Sequence, residues 1–313
     1  MTEFVQLLNR GGVNANPGAS GADFGAFERE TGLVLTPDLR TMYSRANGVR
    51  INSRGALELL PLDRVASYVS SFHSFGTPSC WGYFPFTDLN DSNPHCVCLG
   101  GPVAGYVARV FHDDTAALEY RSVRSFVRTV LGVIDLGDEV SEDDEGASLW
   151  SLSRELRPDT TDRTAADVAT AHALLAFADA LEPATVERAD AERWAITLFS
   201  ENQVAVVAQL LDTGDEYRRR EAIQKLDAMT TPQAATAIQH HRTEMRTFVR
   251  QVADALGAAG LTVEVRGESV RVEPGRVHLN VPTFFTRRRS PTIMADIVQR
   301  VRELIAHKTQ GNA

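Results

Sequence analysis

The apolar positions of this chain change period along its length, and the changes predict its elements. Phe24 and Phe27 share a helical face that Gly32 ends. Thr36-Pro37 then caps and starts a second helix with Leu39, Met42 and Tyr43 inward, and Asn47-Gly48 stops it. Ala56–Leu62 reads as a strand and Asp63–Ser71 as a helix. Trp81–Phe86, Cys96–Leu99 and Tyr106–His112 read as further strands, and Ser122–Leu131 as a closing helix. Helical periodicity dominates from Thr164 to Arg242. Thr164 and Asp167 form a capping pair before Val168, Leu174, Leu175, Ala178 and Leu181. Asn202 is placed to cap a helix carrying Val204, Val207, Leu210 and Leu211, and Gly214 to close it.

The last part changes period twice. Met245, Phe248, Val249, Val252 and Leu256 lie on one helical face. Three short alternating runs follow, 261–266, 270–273 and 277–281, separated by Gly267-Glu268 and Pro274-Gly275. A final helix carries Ile293, Ile297, Val301, Leu304 and Ile305. The pattern predicts an α-β-β-β-α unit of two layers. The chain therefore reads as α+β, with a first domain over 1–134, an acidic linker over 135–163, a helical connector over 164–242 and a small α/β domain over 243–308.

Charge sharpens the division. The net charge of −9 is uneven. Residues 1–134 carry 11 basic and 12 acidic side chains, residues 135–201 carry 5 and 17, and residues 202–313 carry 16 and 12. Like charges in DLGDEVSEDDEG, from Asp135 to Gly146, repel each other and oppose packing. An acidic chain repels phosphate, so direct nucleic-acid binding is not expected, whereas a basic protein would be attracted. No apolar run reaches the roughly 18 residues of a membrane span. The opening MTEFVQLLNRGG does not read as a signal peptide. Three sparse cysteines, Cys80, Cys96 and Cys98, suit a reduced, cytoplasmic setting.

Candidate chemistry is thin. His95, Cys96 and Cys98, with Cys80, His73 or His112, could be placed around a metal, but the paired Cys-x₂₋₄-Cys spacing of a zinc site is missing. His112-Asp113-Asp114 sits where a strand turns, and no G-x-S-x-G elbow or phosphate-binding loop occurs. The reading is of no enzyme, no metal and no cofactor. Binding chemistry is better represented. Trp81 and Tyr83, with loop acids Asp88 and Asp91, suit an interaction rim. Arg287, Arg288 and Arg289 precede the last helix, where they gain nothing from its dipole, and could meet an acidic partner. His240-His241 reads as a helix-end pair.

Residues 20–134 resemble the SUKH superfamily, the Smi/Knr-like group. The resemblance rests on Glu28, Gly32, Leu35, Pro37, Asn47, Gly48, Leu60 and Pro61, followed by Trp81, Phe84 and Phe86, Asp88–Asn93, Gly105, Val107 and Ser122–Phe126. Thr36 departs from it by separating Leu35 from Pro37. The resemblance implies a non-enzymatic, protein-binding domain with an antiparallel sheet. Bacterial members look like immunity proteins that bind and block a secreted toxin, often a nuclease or deaminase. The alternative is an adaptor or scaffold that recruits a cellular protein through the same domain.

Overall fold

The computed structural model describes residues 2–51, 57–88, 93–111, 116–135, 165–182, 185–214, 216–274 and 276–310, with the side chains of 88, 309 and 310 excluded. Residues 136–164, which hold all of the expected acidic linker except Asp135, and the His112–Asp114 cluster lie outside the described residues; Asp135 ends a helix. The chain is α+β and divides into two compact units, Met1–Leu198 and Phe199–Ala313. Among the described residues no helix is long and apolar enough to cross a membrane.

The first unit opens with α1 (Thr2–Leu8) and β1 (Val13–Ala15), neither of which has enough periodic residues to show in the sequence. Helix α2 (Gly21–Thr31) is started by a reciprocal capping box. The Asp23 amide donates to Ser20 Oγ at 3.3 Å and the Ser20 amide to Asp23 Oδ2 at 2.7 Å. Helix α3 (Pro37–Arg45) begins as expected, with Thr36 Oγ1 accepting from the Leu39 amide and proline at the first position. Thr36 thus has a capping role of its own.

Strands β2 (Val49–Ile51) and β3 (Leu57–Leu59) follow, then α4 (Leu62–Phe75). A 3₁₀ turn at Ser79–Trp81 leads into β4 (Tyr83–Pro85), β5 (Thr87–Asp88), β6 (His95–Cys98), β7 (Val107–Arg109) and β8 (Ala117–Tyr120), and α5 (Val123–Asp135) closes the run. Two antiparallel sheets result, ordered β1-β2-β3-β5 and β4-β6-β7-β8. They are stitched at Phe86, whose carbonyl accepts from Leu60 and whose amide donates to His95, both at 2.9 Å. Phe27 and Tyr43 meet Phe84 edge-on at 5.6 Å, and Phe86 meets Phe126 at 5.0 Å, so helices and sheets share one core.

The residues that carry the resemblance hold this frame together. Glu28 accepts from the Leu35 amide at 3.1 Å and pairs with Arg40, which fixes the α2–α3 corner. Gly48 has φ +99°, and a Cβ there would lie 2.9 Å from the side-chain nitrogen Nδ2 of Asn16. Asn47 Oδ1 accepts from the Leu62 amide at 2.9 Å. Pro61, at the N-cap of α4, has no side-chain cap, so Asn47 supplies one from 15 residues away. Asn47→Ala is expected to cost about 1–2 kcal/mol in urea unfolding, and Asn47→Asp, which keeps the acceptor, much less.

Two further helices belong to this unit, α6 (Ala165–Asp179) and α7 (Val186–Leu198). The sequence places them in a separate connector. They join the first unit because Trp194 of α7 is buried against Trp81, ring centroids 4.8 Å apart, and Phe177 of α6 approaches Trp81 at 5.2 Å. Asp167 is buried, accepts from the Tyr106 hydroxyl at 2.7 Å and pairs with Arg121 at 2.5 Å; Thr164, its expected capping partner, lies outside the described residues.

The second unit contains α8 (Val204–Thr213), α9 (Glu216–Ala228), α10 (Pro232–Ala258), strands β9 (Thr262–Arg266), β10 (Ser269–Glu273) and β11 (Val277–Asn280), and α11 (Ile293–Gln310). The start of α8 differs from expectation: a 3₁₀ turn, Glu201–Gln203, precedes it and carries the Ser200–Gln203 capping box, Asn202 lies inside that turn, and α8 itself has no side-chain cap. Helix α10 runs unbroken through the expected boundary at 242/243. It has neither proline nor glycine between Gln233 and Leu256, and its buried stripe runs from Ala234 and Ile238 through Met245 and Phe248 to Leu256. His240-His241 therefore lies in mid-helix, with His241 buried edge-on to Phe285 at 5.1 Å. The meander forms as expected, in the order β11-β10-β9, with Val270 opposite Val265 and Leu279 and Val272 opposite Val263 and Val277. Val270, Val272, Val277 and Leu279 face the α10 and α11 side chains in one core.

Candidate protein-binding groove

Three carboxylates converge on a groove beside the motif residues. Asp23 and Glu30 come from α2 and Asp63 from the first turn of α4; Asn16, Pro17, Asn47 and Pro61 form the walls, and Ala26, Phe27, Leu62 and Ala66 supply apolar lining. The groove encloses about 520 Å³, and among the described residues lining it none is basic. The acids differ in origin. Asp23 already serves the capping box, and the Ser20 amide holds its carboxyl below the usual range. Asp63 sits favourably at the start of α4. Glu30 lies in the last turn of α2, where the helix dipole disfavours a carboxylate, so helix stability does not account for it. Such a surface can take an aliphatic stem against Ala26 and Pro61 while carboxylates meet its cationic end.

A second cavity of about 470 Å³ is lined by Phe4, Leu39, Met42, Val97, Val123 and Val127, with Glu3, Asp38 and Arg124 also at its wall. Arg124, donating at 2.7 Å, holds the Glu3 carboxyl down at about 2. Its mixed charge selects no class of partner.

The aromatic rim expected from the sequence is not a rim. Trp81 has no exposed surface and Tyr83 5%, because α7 lies over them. Asp88 is placed in β5 by its backbone, and Asp91 lies outside the described residues. The arginine triplet also separates by role. Arg287 pairs with Asp296. Arg288 is largely buried, pairs with Asp212 and Glu244, and lies 4.0 Å over the Phe285 ring. Arg289 is exposed, with Glu244 at 4.0 Å. The triplet therefore does not act as one basic patch, and Arg288 is a packing residue.

The cysteine and histidine candidates are spread over separate environments. His95 Nδ1 lies 3.1 Å from Thr87 Oγ1 and Nε2 2.9 Å from Glu119, all buried. Cys96 and Cys98 are buried and burial pushes both thiols up; exposed Cys80 is pushed up to about 11 by burial of its sulfur environment and by Glu187 and Asp190. A protonated thiol is a poor nucleophile and ligand. Among the described residues no three such side chains gather as a metal site.

Sequence reasoning missed Asp190 and Trp194. They stand four apart on α7, a spacing that puts both on one face, and this was the available signal. Comparison with known proteins gives no further identification: no protein-family model matches the chain, and no curated protein matches it.

Proposed function

We propose that this protein is an immunity-type binder that neutralises a basic toxin by stoichiometric occlusion, with the Asp23–Glu30–Asp63 groove as its contact surface. The observation that supports the reading is the coincidence of that groove with residues of the SUKH resemblance: Asn47 and Pro61 line it and Glu28 braces its helix. Glu30, which its own helix does not favour, gains a purpose against a cationic loop. Occlusion requires no catalytic group of this chain, only a complementary face that excludes the toxin's substrate. A basic nuclease or deaminase domain supplies the matching charge.

The test is rescue of cells that express a toxin domain encoded beside this gene. Wild type is expected to restore growth and form a one-to-one complex. Glu30→Lys with Asp63→Lys should weaken that complex about 100-fold, roughly 2.7 kcal/mol, while thermal unfolding stays near wild type. Binding should also weaken as salt rises. Absence of both rescue and complex would reject the immunity reading. The adaptor reading draws on a different observation, the presence of two compact units. It predicts a ternary complex in which the groove variant loses one partner and keeps the other.

A further inference from the structure

A carboxylate is buried where nothing in the proposed binding reaction uses it. Asp190 is 1% exposed on the face of α7 that covers β4 and the 79–81 turn. Its Oδ2 lies 3.5 Å from the Tyr83 hydroxyl, a donor at the limit of hydrogen bonding. By geometry neither Asp190 Oδ1 nor the Trp81 indole nitrogen completes a hydrogen bond among the described residues, although the Trp81 N–H lies near enough to the carboxylate to favour its ion. The groups facing Asp190 are the Tyr83 hydroxyl from β4, the Trp81 N–H and Cys80 thiol from the turn, the Cys98 thiol from β6 and the Ala116 main chain before β8. Arg193 is a charged neighbour on its own helix, and Glu187 is another acid there, acting on Cys80. Trp81, the Ala116 main chain, Arg193 and Tyr83 each favour the ion, but burial outweighs them together and the site favours the neutral acid.

We propose that α7 is a proton-controlled cover: with Asp190 neutral it closes over the Trp81–Tyr83 aromatic face, and with Asp190 ionised it lifts and uncovers that face. The covered surface is the aromatic set that looks like an interaction rim in the sequence, so the cover is an autoinhibitory contact. Trp194 seals it, donating from its indole to the Ala116 carbonyl at 2.8 Å, while Asp167 anchors α6 separately through Tyr106 and Arg121. The inference does not depend on the immunity reading.

The sign follows from linkage. Burial raises the Asp190 carboxyl from 3.8 to about 7 when α7 is closed, and lifting returns it toward the ordinary value. Closure is therefore favoured at low pH and weakens as pH rises from about 4 to 7, with little change above that. The ratio of lifted to closed molecules should rise about tenfold between pH 6 and pH 8, and about 600-fold from pH 4 to pH 8.

Hydrogen exchange of the full chain, corrected for intrinsic rates, reads this directly. Protection in 186–198 is expected to fall about tenfold from pH 6 to pH 8 in the wild type and to stay level in Asp190→Asn. Tyr83→Phe removes a donor that stabilises the ion, so its loss of protection should move to higher pH; this variant keeps the ring and serves if Asp190→Asn does not fold. Level protection in the wild type, or the same fall in Asp190→Asn, would overturn the proposal.

Discussion

Trp194→Ala is expected to destabilise the first unit by about 4–5 kcal/mol, the largest effect of any single truncation described. The side chain has no exposed surface and meets Trp81 at 4.8 Å and Tyr83 at 6.5 Å. Truncating a buried tryptophan of this kind costs about 3–5 kcal/mol in lost burial and residual cavity. The Ala116 carbonyl also loses its 2.8 Å indole donor, which adds about 1 kcal/mol or more if water cannot replace it. Trp194→Phe separates the two contributions, since it keeps most of the ring packing and should cost about 1–2 kcal/mol. Urea unfolding followed by circular dichroism checks both. A loss below about 1 kcal/mol for the alanine variant would mean that α7 contributes little to this unit. Hydrogen exchange should then show whether the loss is local to 186–198 or spreads through the β4-β6-β7-β8 sheet.

The same helix shows where sequence reading stops. The α2–α3 pair was legible because each boundary carries its own chemical signal: Gly32 in the left-handed region, Thr36-Pro37 at a start, Asn47-Gly48 at a stop. The C-terminal meander was legible because Val270, Val272, Val277 and Leu279 alternate cleanly, with turn residues between the runs. Helix α7 gave no such signal. It buries Asp190 and Glu192 beside Trp194 and Ile196, so its apolar periodicity is broken on the very face that packs. Glu192 is compensated by Arg188, donating at 2.7 Å, a partner that a pattern of apolar residues does not reveal. Strands β1 and β2 are three residues each, too short for alternation to register. The groove was only half legible. Phe27, Asn47 and Pro61 stood out in sequence, but Glu30 and Asp63 acquire meaning only when α2 and α4 bring them to one opening. Trp81 and Tyr83 failed as rim residues for the converse reason: an aromatic in a turn or on a strand faces a partner or its own chain, and here α7 takes that place.

Arg288 extends this lesson to charge and carries the other large prediction. Three consecutive arginines are equivalent as a string, yet only Arg288 points into the second unit. Its guanidinium donates to Asp212 Oδ1 at 2.6 Å and Glu244 Oε2 at 2.7 Å, and lies 4.0 Å over the Phe285 ring. That ring also receives Arg219 at 5.5 Å and is itself fully buried. Arg288→Ala leaves two carboxylates facing each other without their shared cation and uncovers the aromatic face. Asp212 and Glu244 retain 38% and 30% of their side-chain exposure, so water softens the penalty below that of a sealed ion pair. A loss of about 2–3 kcal/mol in urea unfolding of the second unit is expected. Arg288→Lys keeps one charge but neither the two-pronged fork nor the flat stack, and should fall between alanine and wild type. Arg289→Ala should stay within about 0.5 kcal/mol, because that side chain is 76% exposed and its nearest acid lies at 4.0 Å. Equal losses for the two alanine variants would place Arg288 with the solvated arginines. A loss confined to Arg288 and little reduced by salt would establish it as the residue that ties α8, α10 and the 281–287 turn together.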